Sequence, residues 1–156
     1  MNELLRKMLG EMDATVSVKK TYYLYCQIVP EAKQSVRKGK ASFFVPKEKL
    51  KYAKRLRDVF WPQWGLRNPP LTTLVKMTII FAFPWLKTSK SKNRFFGWEF
   101  CGKRIDTTNL IKPFEDALTG IVYQDDSQVV DTRARKIYFR EPWVVVKIEE
   151  ISENFQ

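Results

Sequence analysis

The sequence predicts an α+β fold, a mixed β-sheet of about four to six strands packed with two to three helices. Three observations predict it. Runs rich in aromatic and β-branched residues recur at 21–29, 72–83, 129–139 and 143–151, the composition of strands. Two stretches between these runs, and one ahead of them, place apolar residues at helical spacing. The 156 residues suffice for one domain with a real core and leave little room for a second. The expectation is a single domain over 1–156, with a short amphipathic helix over 2–13 as an appendage.

In that first helix Leu4, Leu5, Met8, Leu9 and Met12 share a face interrupted by Gly10, a face that would pack on the domain or on a partner subunit. Thr21 to Val29 reads as a strand stopped by Pro30. Lys38-Gly39-Lys40 reads as a turn and Ala41 to Val45 as a short strand. Pro46 then opens a helix to about Phe60, with Leu50, Ala53, Leu56 and Val59 or Phe60 as its buried stripe. Trp61 to Pro70 carries three prolines, a glycine and two tryptophans, which predicts a rigid loop. Thr72 to Phe83 is apolar enough for a central strand.

The remaining elements follow the same logic. A helix is expected from about Asn109 to Thr119, capped by Asn109 and closed by Gly120, so that Pro113 falls in its first turn. Val129 to Phe139 and Trp143 to Ile151 predict a β-hairpin turning at Arg140-Glu141-Pro142. Glu149 to Glu153 reads as an acidic tail.

Composition narrows the chemistry. A net charge of +11 and a pI near 9.7 point to a polyanionic partner, nucleic acid being the commonest. With no histidine in the chain, Ser-His-Asp and Cys-His sites, histidine zinc sites and imidazole bases are excluded. Any acid, base or metal ligand must come from carboxylates, lysine, water or backbone. Cys26 and Cys101 lack C-x-x-C spacing and read as reduced thiols of a cytoplasmic protein. No apolar run approaches the ~20 residues that span a bilayer, so no membrane association is expected.

The positive charge is concentrated in two places. Lys33 to Arg57 contains ten Lys and Arg residues against Glu48 alone. Leu86 to Arg104 sets Lys87, Lys90, Lys92, Arg94, Lys103 and Arg104 against Glu99. In the first, Lys33, Arg37, Lys38, Lys40, Lys47 and Lys51 are candidate phosphate contacts, or an ordinary solvated face. In the second, Lys90, Lys92 and Arg94 interleave with Phe95, Phe96, Trp98 and Phe100. That mixture suits phosphate tracking with base stacking, and equally a loop that covers the core or joins a dimer.

The residues that carry chemistry lie between Asp106 and Asp126. Hydrolysis of a phosphodiester calls for a divalent cation held by carboxylates at the ends of secondary elements, with a cation beside the phosphate. Asp106 is placed to supply the first carboxylate, and Asp126, or else Asp125, another. At 3.6 residues per turn, Thr108, Lys112 and Glu115 share a strip roughly 60° wide, while Leu110, Phe114, Ala117, Leu118 and Ile121 face the core. The same spacing is equally that of an exposed Lys112–Glu115 ion pair beside a polar turn.

The run from Asp106 through Thr107, Thr108, Asn109, Leu110, Ile111 and Lys112, then Asp116-Ala117-Leu118, then Asp125-Asp126-Ser127-Gln128-Val129, resembles the signature of the RusA family of Holliday-junction resolvases. That signature is Asp-x-Asp-Asn-Leu-x-Lys, then Asp-Ala-Leu, then Asp-Asp-x-Gln-Val. The resemblance covers about residues 21 to 151. It implies a small homodimeric α+β endodeoxyribonuclease of bacterial, phage or prophage setting, which uses Mg²⁺, with Mn²⁺ as a substitute, to nick four-way and other branched DNA in recombination and repair. Asp106 and Asp126 then match the catalytic, metal-binding aspartates, Lys112 the essential lysine, and Asn109 the motif asparagine at the DNA.

One position departs from the signature. Thr108 stands where the family has its second aspartate, and a hydroxyl is a weaker Mg²⁺ ligand than a carboxylate. Either Glu115, on the same helical strip, supplies the lost metal-binding and catalytic carboxylate, with Thr108 as a minor ligand, or the protein is a non-catalytic structured-DNA or RNA binder with a degenerate metal site.

Overall fold

The structure is a computed structural model that describes residues 16–32, 37–38, 43–44, 47–87, 97–102 and 106–153. The expected helix over 2–13, the turn at Gly39-Lys40, and Lys33, Lys90, Lys92, Arg94, Phe95 and Phe96 lie outside those residues. The chain runs through β1 (Val16–Cys26), a small ribbon of β2 (Arg37–Lys38) and β3 (Phe43–Phe44), α1 (Lys47–Trp64), β4 (Leu74–Pro84) and β5 (Glu99–Phe100). It continues through α2 (Thr107–Leu118), a 3₁₀ turn (Asp126–Gln128), β6 (Val129–Phe139) and β7 (Trp143–Glu153). Five strands form one mixed sheet in the order β1-β7-β4-β6-β5, and with the two described helices this is the expected α+β arrangement.

β4 is the central strand, parallel to β6 and antiparallel to β7. Its Val75, Met77, Ile79 and Phe81 are fully buried, and the register sets Ile148, Val146 and Val144 of β7 beside the last three. Both helices cover this face. Phe114 of α2 meets Phe81 edge-on at 5.4 Å between ring centres and Phe60 of α1 at 6.2 Å. One ring therefore joins both helices to the sheet. Phe114→Ala should cost about 3–5 kcal/mol, the usual loss for a fully buried aromatic, measurable as a lowered urea midpoint.

The edge of β1 is also closed locally. The Gln63 amide bonds both backbone groups of Tyr25, accepting from its N–H at 3.1 Å and donating to its carbonyl at 2.8 Å. A side chain thus takes the place of a neighbouring strand where β1 would present open backbone.

Four expectations are corrected. The β6–β7 hairpin does not form: β4 lies between the two strands, and Arg140-Glu141-Pro142 spans the gap. Two strand spacings come to about 10 Å, within reach of three residues and their flanking peptides. α1 continues past Phe60 to Trp64 through Pro62, because Phe60 and Trp64 extend the buried stripe of Tyr52 and Leu56 by further turns; Val59 is exposed. β1 runs from Val16 and ends at Cys26, ahead of Pro30. The acidic tail is the end of β7, where Glu149 is buried and paired with Lys147 at 2.6 Å, and Glu150 accepts from Tyr22 at 2.6 Å.

Both cysteines are buried and free, and burial pushes the Cys26 thiol up to about 12. Its thiolate is therefore scarce at neutral pH. No helix among the described residues is long and apolar enough to cross a membrane.

Candidate active site

α2 begins at Thr107, two residues before the expected start, and its cap is Asp106, not Asn109. The Asp106 carboxylate accepts from the Thr108 N–H at 3.0 Å and from the Asn109 side chain at 3.4 Å. It thus satisfies, through the Thr108 N–H, one of the donors that every helix N-terminus leaves unpaired, and a negative charge is favoured there. Pro113 consequently lies inside the helix. It removes one internal hydrogen bond, a cost outweighed by the burial of Leu110, Phe114, Ala117 and Leu118 around it. At the far end Gly120 takes φ +75°, and Arg57 donates to the carbonyls of Ala117 and Thr119.

Asp126 is delivered by a separate device. It opens the 3₁₀ turn that leads into β6, and that turn is built by its neighbours. The Asp125 carboxylate accepts from the Ser127 N–H at 2.9 Å, while the Gln128 side-chain oxygen accepts from the Asp125 N–H at 2.9 Å. With the Gln128 backbone also on the Asp125 side chain, Asp125 and Gln128 form a reciprocal capping box. Gln128 also donates to the carbonyls of Leu71 and Thr73 at 3.0 and 2.9 Å, fastening the turn to the chain that enters β4. The bonds from Ser127 hold the Asp125 carboxyl below its usual range. Asp125 is therefore a structural residue, and Asp126 is the aspartate left to project.

Lys112 joins the two devices. Its ammonium donates to Asp126 at 3.0 Å and lies 3.3 Å from Asp116 and 3.7 Å from Glu115. The hydrogen bond to Asp126 raises the ammonium above its usual 10.5, with Asp116 adding to the effect and burial opposing it. On the lysine side the pairing is fully present below about pH 10.5 and is lost as pH rises through the raised value. Lys112 is a cation throughout the neutral range. A proton held this firmly suits a stabiliser of phosphate charge better than a general acid.

Asp106, Thr108 and Asn109 therefore sit at the start of α2, while Lys112 brings Glu115 and Asp126 to a single ammonium. Among the described residues no three or more carboxylates converge closely enough to hold a metal ion between them. For a hard cation the donors present are the oxygens of Asp106 and Asp126, with the Thr108 hydroxyl nearby in the first turn. Mg²⁺ is commonly held by one or two carboxylates and several waters, and each carboxylate here keeps lone pairs beyond its present partners. In donor chemistry the set fits Mg²⁺.

Sequence reasoning missed Asp116 and the scaffolding roles of Asp125 and Gln128. Their signals were present: Lys112 and Asp116 are four apart on one helix, and Asp125 and Gln128 have capping-box spacing. Of the proposed phosphate contacts, Lys51 is exposed on α1. Arg37, Lys38 and Lys47 lie in β2 and at the start of α1, where the backbone alone is described; Lys40 falls outside the described residues.

A Bacillus subtilis (strain 168) protein, YqaN, itself uncharacterised, is 49% identical over 47 residues, 30% of this chain and 33% of that protein. The chain thus spans about a third of the length of the curated relative it matches. Residues 26–149 match the family described as Endodeoxyribonuclease RusA. That span holds the central strand, both helices and every residue of the Asp106–Asp126 site, and the chain belongs to the RusA endodeoxyribonuclease family.

Proposed function

We propose that this protein is a metal-dependent endodeoxyribonuclease that nicks branched DNA, four-way junctions foremost, in recombination and repair. The observation that carries the reading is the Lys112–Asp126 bond at 3.0 Å, which ties the two separated halves of the motif into one place. In the reaction the oxygen of water adds to phosphorus and one P–O ester bond breaks. The leaving oxygen takes up a proton. Mg²⁺, or Mn²⁺, held by Asp106 and Asp126 would activate the water and neutralise charge on the phosphate. Lys112 contributes a fixed positive charge to the same phosphate, and Asn109, at the mouth of α2, adds an amide donor. Two symmetric nicks across a junction call for two sites related by a twofold axis, so the working unit is proposed to be a homodimer.

A second reading is favoured by one specific observation. Thr108 replaces a carboxylate, and no three acidic groups are placed to hold a metal ion among the described residues, which suits a junction binder that does not cut. A labelled four-way junction, incubated with Mg²⁺ beside linear duplex and single strand, separates the two. Selective nicking of the junction is the expected result, and binding without nicking would establish the second reading. Under the same conditions Glu115→Gln should abolish cleavage if Glu115 supplies the missing carboxylate. Full activity of that variant removes Glu115 from the metal site.

A further inference from the structure

We propose that Trp61 is a stacking platform for an unpaired nucleobase, on a DNA strand that runs along the outer stripe of α1; this rests on the branched-DNA reading above. Two tryptophans three residues apart have opposite fates. Trp64 is 1% exposed, packs edge-on against Tyr22 at 4.5 Å and donates to the Pro69 carbonyl. Trp61 is 49% exposed. Its ring lies against the backbone of Gly65, one turn on: a Cβ built at Gly65 would stand 2.5 Å from indole Cε3 and 2.8 Å from Cδ2. Only glycine admits this approach, and the backbone it exposes holds the indole from beneath.

The ground on either side is open. Two hollows of about 330 and 300 Å³ share Trp61 and Ile121 in their walls; Arg67, Asn68 and Pro69 line the first, Arg57 and Asp58 the second. Both are at the small end of ligand-sized pockets. Charge identifies the occupant. Lys51, Lys54, Arg55 and Arg57 are exposed on α1 with Asp58 as the acid among them. Lys51, Lys54 and Trp61 fall within roughly 80° around the helix, and Trp61 lies about 10 Å beyond Lys54 along its axis. Ammonium groups followed by an open, braced indole are the sequence-tolerant means of holding a single strand, by phosphate and by base face. A branch point or frayed arm supplies such a base; a closed duplex does not.

The test uses the full chain and a duplex with a single-stranded arm carrying 2-aminopurine, beside the four-way junction and a closed duplex. Trp61→Ala should weaken binding to the armed duplex about ten-fold and abolish the quenching of 2-aminopurine. Trp61→Phe should retain most of both, and closed-duplex affinity should stay within about two-fold. Gly65→Ala displaces the ring without removing it and should act in the same direction, while circular dichroism confirms the fold of each variant. Equal affinity and equal quenching for Trp61→Ala would overturn the proposal. So would loss of self-association with DNA binding intact, since that assigns the face to a second copy of the chain. Nicking of the junction by the unsubstituted protein, followed in parallel, keeps this outcome distinct from failure of the nuclease reading.

Discussion

Asp126→Asn is expected to lower single-turnover nicking of a four-way junction by about 10²- to 10³-fold, with the fold intact and junction affinity equal or slightly higher. The substitution keeps the shape of the side chain and removes its charge. The turn should survive because Asp125 and Gln128 build it, and Lys112 keeps Asp116 and Glu115 as partners. One negative charge fewer beside a phosphate favours binding and disfavours catalysis, so affinity and rate should move apart. Asp106→Asn supplies the matching measurement at α2. Asn caps a helix about as well as Asp, so this variant retains the cap and deletes the charge, whereas Asp106→Ala also costs about 1 kcal/mol of stability. Nicking rates within ten-fold of the unsubstituted protein for both Asn variants would remove these aspartates from the chemistry.

Lys112→Met should lower nicking by about 10²-fold, the cost of deleting one positioned charge from a phosphate site. A second effect marks it apart from simple loss of a DNA contact. Without the ammonium, Glu115, Asp116 and Asp126 lose the cation that all three approach, and loss of a nearby positive charge favours the protonated carboxylate. The pH profile of any residual activity should therefore shift toward alkaline pH. Lys112→Arg, which keeps the charge with different geometry, should recover part of the rate. A Lys112→Met variant with an unshifted profile and weaker DNA affinity would reduce the lysine to an ordinary phosphate contact.

How far the sequence could be read depended on where each decision was made. Motif residues were legible because their order and spacing are local. The central position of β4 was legible because its run is nearly all apolar, interrupted only by Lys76 and Thr78. The β6–β7 connection was not. Arg140-Glu141-Pro142 has the same turn chemistry whether its strands pair directly or straddle a third, and the choice lies with β4, some sixty residues earlier. The start of α2 was misplaced for a related reason: Pro113 argued for a late start. Four buried side chains around it outweighed that local preference. Asp106 itself was expected as a metal ligand, while its work as a cap went unread.

The insertion of β4 between β6 and β7 governs how the protein must come together. In the five-stranded sheet no two strands that pair are joined by a short turn: β1 waits for β7, and β4 for β6 and β7. Such a sheet cannot zip up from a local nucleus, and chains dominated by distant pairings fold in roughly milliseconds to seconds. β7 emerges after the other four strands of this sheet, yet it occupies the second place in it. Until residues 143–153 are available, β1 and β4 each present an open edge, and the nascent chain carries two sticky strands that only β7 closes together.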